Sequence, residues 1–337
     1  MNNITDGFTR RKNQPETDGF TRRKNQPETD GFTLRKKSLI FLLQRVNPLV
    51  PILQKDRTDW FTRRKKMIVV LAAFLFPIFT NAQKDYRISP DVVYGHKAGM
   101  ALTYDVFQPA DSANGAGIIH IVSGGWNSRY NLPDSVVVNY KPFLDAGFTV
   151  FALRHGSSPQ FKLPDMVDDV ILGAWNIHGN ASQFGVDSVR LGIFGGSSGG
   201  QLALMAGLSG EKHPVSAIVA FFAPADLRGM PDIMRAMIPA FDFDTILAAS
   251  VSPIVFASPD DPPTLLIHGD KDFVVQPWQS ERMYEALQCN KVISRLIIYE
   301  GMSHGNSYGA KGKYYEEATT EMIGWFLLYL TDNNKTE

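Results

Sequence analysis

The stretch with the most chemical content is Ile193-Phe194-Gly195-Gly196-Ser197-Ser198-Gly199-Gly200-Gln201-Leu202-Ala203, where an apolar β-rich run meets a glycine–serine cluster and then helix formers. A serine with glycines at −2 and +2, at the junction of a strand and a helix, meets the steric demand of a nucleophile elbow. The turn is too tight for flanking side chains, the hydroxyl is lifted above the sheet edge, and the helix N-terminus is aimed at the site. Ser197 satisfies the pattern through Gly195 and Gly199, while Ser198 satisfies it through Gly196 and Gly200. Ser197 is preferred because Phe194 ends the strand directly before Gly195. Glycine-rich strand–helix turns also cradle phosphates, but the G-x-x-x-x-G-K-[ST] pattern is absent.

A serine hydroxyl is a poor nucleophile unless a base removes its proton. Seven histidines are available, and His304 is the best placed, in the loop Gly301–Asn306 after the last strand-like run. Nucleophile, acid and histidine then follow in the chain order this kind of elbow uses. His120 and His268 fall within or at the end of apolar runs and read as core histidines, whereas His96, His178 and His213 lie in polar stretches. His155 follows a strand end and is a candidate for the pocket wall. The acid is sought after Thr264–His268, where Asp270 and Asp272 both stand. Asp272, three residues past Gly269, fits a carboxylate hanging over the strand edge to orient an imidazole. Asp270 reads as a turn brace and Asp226 as a reserve. An oxyanion needs backbone donors, expected from Ser198 and from Gly124 and Gly125 in the loop Ser123-Gly124-Gly125-Trp126. Trp126 reads either as a pocket wall or as core packing.

These side chains require a particular scaffold. Strand-like runs at Ala101–Phe107, Gly117–Val122, Phe148–Leu153, Val189–Phe194, Ala217–Phe222, Thr264–His268 and Arg295–Tyr299 alternate with helical periodicity. Helices are expected through Phe143 and Leu144, over Leu163–Ala181, Gln201–Leu208 and Glu281–Leu287, and over Ala318–Leu330. That alternation predicts one α/β domain with a mostly parallel sheet flanked by helices. Asp226–Pro263 shows no clear strand and carries Met230, Met234, Met237, Ile238, Phe241 and Phe243; it reads as a lid or as a packed helical excursion.

With these residues in view, the region 90–330 resembles the α/β-hydrolase fold of bacterial carboxylesterases, the hormone-sensitive-lipase-like and feruloyl-esterase-like group. Members typically carry H-G-G-G-W in the oxyanion loop, G-x-S-A-G-G-x-L-A at the elbow and H-G-x-x-D before the terminal histidine. This chain has Val122 through Trp126, Gly195 through Ala203 and His268 through Asp272 at those places, with Asp260-Asp261-Pro262-Pro263 also similar. It departs at Val122 and Ser123, in place of His-Gly, and at Ser198, in place of Ala. The resemblance implies a cofactor-free and metal-free carboxylesterase with Ser197, Asp272 and His304 as catalytic residues, acting on a small-molecule or polysaccharide-linked ester. The elbow and acid motifs are also similar to prolyl-oligopeptidase catalytic domains, although no propeller of repeated strands precedes them. A non-catalytic binding protein on the same fold is the remaining alternative.

Bulk properties narrow the classes further. The 34 basic and 34 acidic residues cancel, but residues 1–66 carry a balance of +9 and residues 67–337 one of −9. An acidic body argues against a nucleic-acid surface, which needs clustered cations. Cys289, the single cysteine, excludes an intramolecular disulfide and a cysteine metal site, and reads as a small apolar helix residue. Thr5–Glu16 is repeated letter for letter as Thr17–Glu28, with echoes at Thr29–Lys37 and Thr58–Lys66. A twelve-residue unit with one aromatic builds no core, so residues 1–66 read as a disordered extension or an over-extended start. Arg63–Lys66, the 13-residue apolar run Met67–Phe79 and the small residues of Thr80-Asn81-Ala82 have the order of a secretory signal. The run is shorter than the roughly 20 residues of a membrane span. The expected layout is therefore a signal over 67–82 and a secreted or periplasmic domain over 83–337.

Overall fold

The computed structural model describes residues 85–229, 240, 245–305, 312 and 314–331. The N-terminal repeats, the signal-like segment and the six apolar residues singled out in Asp226–Pro263 lie outside the described residues.

The described strands form one sheet in the order β1-β2-β4-β3-β5-β6-β7-β8. They are β1 (Tyr86–Lys97), β2 (Met100–Pro109), β3 (Gly117–Ile121), β4 (Thr149–Leu153), β5 (Leu191–Gly196), β6 (Ala217–Phe221), β7 (Thr264–Gly269) and β8 (Ser294–Tyr299). β1 and β2 pair antiparallel, β2 joins β4 antiparallel, and every pairing from β4 through β8 is parallel. The helices are α1 (Pro133–Asp145), α2 (Leu163–Asn180), α3 (Ser198–Leu208), α4 (Thr245–Ser250), α5 (Trp278–Cys289) and α6 (Tyr315–Leu330).

The seven strand-like runs of the sequence all became strands; β1 was missed. It carries Pro90 and Gly95, and its register shifts twice against β2, between Ser89 and Val92 and between Val93 and Gly95. An edge strand with a proline and bulges has no clean period of two to read. Cys289 lies in α5 as expected but is exposed rather than packed.

Alternation along the central strands divides the core between the two faces of the sheet. Ile119, Ile121, Ile193, Ile218 and Leu266 pack on the face covered by α2, α3 and α5. Ile118, Phe194, Val219, Leu265 and Ile267 pack on the opposite face, under α1 and α6. All five central strands are buried on both faces, which is why they read as continuous apolar runs rather than alternating ones. Because β3 through β8 run parallel, the loops that follow them open on one edge of the sheet. Ligands of open α/β sheets bind at that edge. The serine cluster follows β5, the carboxylates follow β7 and His304 follows β8. Three segments far apart in sequence are thereby brought to one rim.

Candidate active site

Ser197 sits between β5 and α3 with φ 53° and ψ −123°, a conformation that costs a non-glycine residue about 1–3 kcal/mol. The turn is possible only because its neighbours lack side chains. A Cβ on Gly195 would lie 2.3 Å from the carbonyl carbon and oxygen of Gly199. α3 begins at Ser198, three residues earlier than the sequence periodicity suggests, so the first amides of the helix lie directly beside the serine. Ser198 is fully buried as the first helical residue, with its Oγ 3.0 Å from Ser123 Oγ. Of the two serines in the cluster, Ser197 is the one whose hydroxyl meets the histidine.

Ser197 Oγ is 3.0 Å from His304 Nε2, and His304 Nδ1 is 2.7 Å from Asp272 Oδ2. The loop bearing His304 is anchored to the segment after β7. The Gly301 amide donates to Asp270 Oδ1 at 2.6 Å, and the Lys271 amide donates to Met302 O at 3.0 Å. Gly269 lets the two segments cross, since a Cβ there would stand 2.2 Å from Met302 O. Asp270 thus braces a turn, but the amide it holds belongs to the histidine loop rather than to its own segment. Phe222 packs its ring 4.9 Å from that of His304, edge to face, and limits how the imidazole can turn.

Asp272 is 3% exposed, and its Oδ1 accepts from the amides of Val274 and Val275, each at 2.9 Å. Burial alone would raise its carboxyl pKa. Hydrogen bonds from His268, His304 and the Val275 amide outweigh burial and hold it well below the usual carboxylate range. His268 is a core histidine as read from sequence, but it also borders the site. Its Nε2 is 2.8 Å from Val275 O and 3.3 Å from Asp272 Oδ2, so the shorter contact takes the proton and the carboxylate shares it. Its other nitrogen is 2.8 Å from Ser280 Oγ. Asp226, the reserve acid, is instead engaged with Arg228 at 2.8 Å and Arg282 at 3.5 Å.

The expected oxyanion donors are not equivalent. Gly124 donates its amide to Asn127 O at 3.0 Å and accepts from Asn127 in return. It is therefore not a free donor, a correction that follows from the small bridge closing the loop. Gly125, with φ 58°, and Ser198 keep amides with no acceptor among the described residues. Of the two readings of Trp126, its burial supports core packing. The residue is 4% exposed, packs in the core against the α2 and α3 face, and gives its Nε1–H to Gln201 Oε1 at 3.1 Å. His155 is also removed from the triad, because it follows β4 and β3 lies between β4 and β5. It lines a separate cavity of about 500 Å³ beside Arg154 and Tyr130. Burial lowers its pKa, and its Nδ1 is 2.7 Å from Gly156 O. A second, more apolar cavity of about 350 Å³ lies under the rim between α1 and α6, lined by His120, Val122, Tyr140, Phe194, Phe221 and Met322 among others.

The arrangement can move a proton from a serine hydroxyl to an imidazole whose cation a buried carboxylate stabilises, with two amides nearby for an anion. Among the described residues no cluster of three histidine, cysteine or acidic side chains could hold a metal ion. No helix among them is long and apolar enough to cross a membrane.

Comparison with known proteins agrees with this architecture. Esterase LipQ of Mycobacterium tuberculosis is 24% identical over 221 residues, which cover 59% of this chain and 52% of LipQ. The chain thus spans about half the length of such relatives. Among solved structures, a truncated form of a carbohydrate esterase from gut microbiota superposes with a TM-score of 0.61 at 25% identity, covering 74% of this chain and 99% of that one. Thermogutta terrifontis esterase 2, phosphonylated by sarin, shares the fold with a TM-score of 0.63 at 19% identity, over 76% of this chain and 99% of the other. The sequence model of the BD-FAE family matches residues 104–287, more than half of the chain and including the oxyanion loop, the elbow and Asp272. With the α/β-hydrolase sheet and these motifs in place, the chain belongs to the BD-FAE family.

Proposed function

We propose that this protein is an exported serine carboxylesterase that cleaves a carboxylic ester through a covalent acyl-enzyme. The observation that carries this reading is the continuous chain of contacts from Ser197 Oγ through His304 to Asp272, at 3.0 and 2.7 Å. As Ser197 Oγ attacks the ester carbonyl, His304 Nε2 takes its proton and Asp272 stabilises the imidazolium. The amides of Gly125 and Ser198 hold the oxyanion. His304 then protonates the departing alcohol, and water attacks the acyl-enzyme by the same route to release the acid. The scheme draws on no cofactor.

The substrate is read as an acetyl or feruloyl ester carried by a polysaccharide. Similarity to the carbohydrate esterase supports this, as does a secreted or periplasmic location inferred from Arg63–Lys66, Met67–Phe79 and the small residues before Gln83. The full chain is to be assayed on p-nitrophenyl acetate, butyrate and octanoate, on acetylated and feruloylated xylan, and on aminoacyl-proline anilides. Ester turnover is expected, falling by at least about 10⁴-fold in Ser197→Ala with the circular dichroism spectrum unchanged. Undiminished turnover in Ser197→Ala would refute the nucleophile, and anilide cleavage with silent esters would make the enzyme a peptidase. Export predicts a new N-terminus at Gln83 in protein recovered outside the cytoplasm.

A further inference from the structure

Two departures from the family motifs, Ser123 and Ser198, meet each other in space. Their hydroxyls are 3.0 Å apart, joining the start of the oxyanion loop to the first residue of α3. At the far end of the same loop, Trp126 Nε1 donates to Gln201 Oε1 at 3.1 Å. Ser123 and Trp126 are three apart on the loop, and Ser198 and Gln201 are three apart on one face of the helix. Between the two attachments lie Gly124 and Gly125, both exposed, with the Gly124–Asn127 bridge closing the turn behind them. Ser198 and Gln201 are fully buried and Trp126 nearly so, which shields the attachments from competing water. Gln201 has a second contact, its Nε2 donating at 2.8 Å to Val251 O just after α4. One amide side chain therefore ties the oxyanion loop, the elbow helix and the segment before β7 together.

We propose that these two side-chain staples fix the distance between the Gly125 and Ser198 amides, so that Ser123, Ser198 and Gln201 are positioning residues for the oxyanion. The inference rests on the esterase reading for its chemistry, but the staples themselves have a readout that does not depend on it. Preorganised donors act only if they stand where charge develops, and a displacement of about 1 Å can cost on the order of a hundredfold in rate. The staples are expected to matter in the transition state and hardly at all for ground-state binding.

The test uses the full chain and the variants Ser123→Ala, Ser198→Ala, their double variant, Gln201→Met and the conservative Gln201→Glu. Gln201→Met keeps length and removes both amide contacts; Gln201→Glu keeps an acceptor for Trp126. On p-nitrophenyl acetate, Gln201→Met is expected to lower kcat about ten- to a hundredfold with KM within about twofold. Gln201→Glu, which keeps the Trp126 acceptor but sets a carboxylate oxygen against the buried Val251 carbonyl, should recover only part of that loss. The serine variants should each lower kcat severalfold, and the double variant should be no worse than the poorer single one, because both remove the same bond. The inhibition constant of a trifluoromethyl ketone, whose adduct places an oxyanion in the hole, should rise in step with the loss of kcat. Additive serine effects, a loss confined to KM, or an inhibition constant that does not follow kcat would overturn the proposal. Hydrogen exchange of the peptide spanning residues 122–128 is read in parallel and should quicken in Ser123→Ala and Gln201→Met. Unchanged exchange would overturn the staples even if the parent protein hydrolysed esters, whereas faster exchange in a parent inactive on every ester would sink the esterase reading alone.

Discussion

At the scale of single residues, the site depends on one carboxylate kept charged while buried. Asp272 accepts from two amides and two imidazoles, and such charge-assisted bonds offset what burial costs. Its folded pKa lies below the unfolded value of 3.8. Its ionised form therefore stabilises the fold at neutral pH, and that contribution fades as pH falls below the unfolded value. Asp272→Asn is expected to lower kcat about 10⁴-fold, since the amide no longer stabilises the imidazolium or selects its tautomer. Asp270→Asn, which only loosens the Gly301 contact, should cost about tenfold or less; steady-state kinetics with the larger loss in Asp270→Asn would reverse the assignment. Both carboxylates were visible in the sequence, as was the reason to prefer one. The share of His268 in holding Asp272 was hidden, because a histidine ending an apolar strand reads as core until its neighbours are known.

Elements set the tolerance of the site to extra atoms. At the elbow, the Cβ of a Gly195→Ala variant would meet the Gly199 backbone at 2.3 Å, and backbone held between a strand and a helix has nowhere to move. The variant is expected to lose about 3 kcal/mol or more of stability, or to fail to fold, with no turnover. Gly179 in α2 offers the contrast, because its added Cβ meets nothing within 4 Å. Gly179→Ala should raise stability by about 0.5 kcal/mol with activity unchanged. Chemical denaturation of the two variants checks both, and a well-folded, active Gly195→Ala would show that the strand–helix turn has slack. The glycine pattern at the elbow was fully legible, since sterics alone dictate it. The crossing at Gly269 was not, because it depends on the Met302 backbone 33 residues further along.

Across the whole molecule, the two faces of the sheet carry different chemistry. The face under α1 and α6 holds His120, stacked on Phe194 at 4.6 Å and 2.9 Å from Tyr140 Oη. Burial pushes its pKa down from 6.5 to about 4. A histidine whose folded pKa is depressed stays neutral in the fold and charges more readily when unfolded. Its contribution is complete above about pH 6.5 and is lost as pH falls toward 4, amounting to about 3 kcal/mol. Urea midpoints at pH 7 and pH 4.5 should differ less in His120→Gln than in the parent protein; an equal difference in both would rule this histidine out as a source of acid lability. The opposite edge of the sheet is tied by Arg154, which pairs with Asp91 on β1 and Asp105 on β2 from the end of β4. Nothing in the spacing of those three residues announces that network, since each lies in a different strand or at its end.

From adjacent residues alone follow the class of fold and the place of the candidate site. Strand runs alternating with helical periods require a parallel sheet, and a serine flanked by glycines at a strand–helix junction has few steric alternatives. These are local constraints, and local constraints are written in adjacent residues. Long-range packing turned Trp126 into the core and carried His155 to the far side of β3. It also joined Ser123 to Ser198 and Gln201 to Val251. Those outcomes depend on distances between segments 50 to 75 residues apart, which strand order and loop closure set together and no stretch of sequence contains.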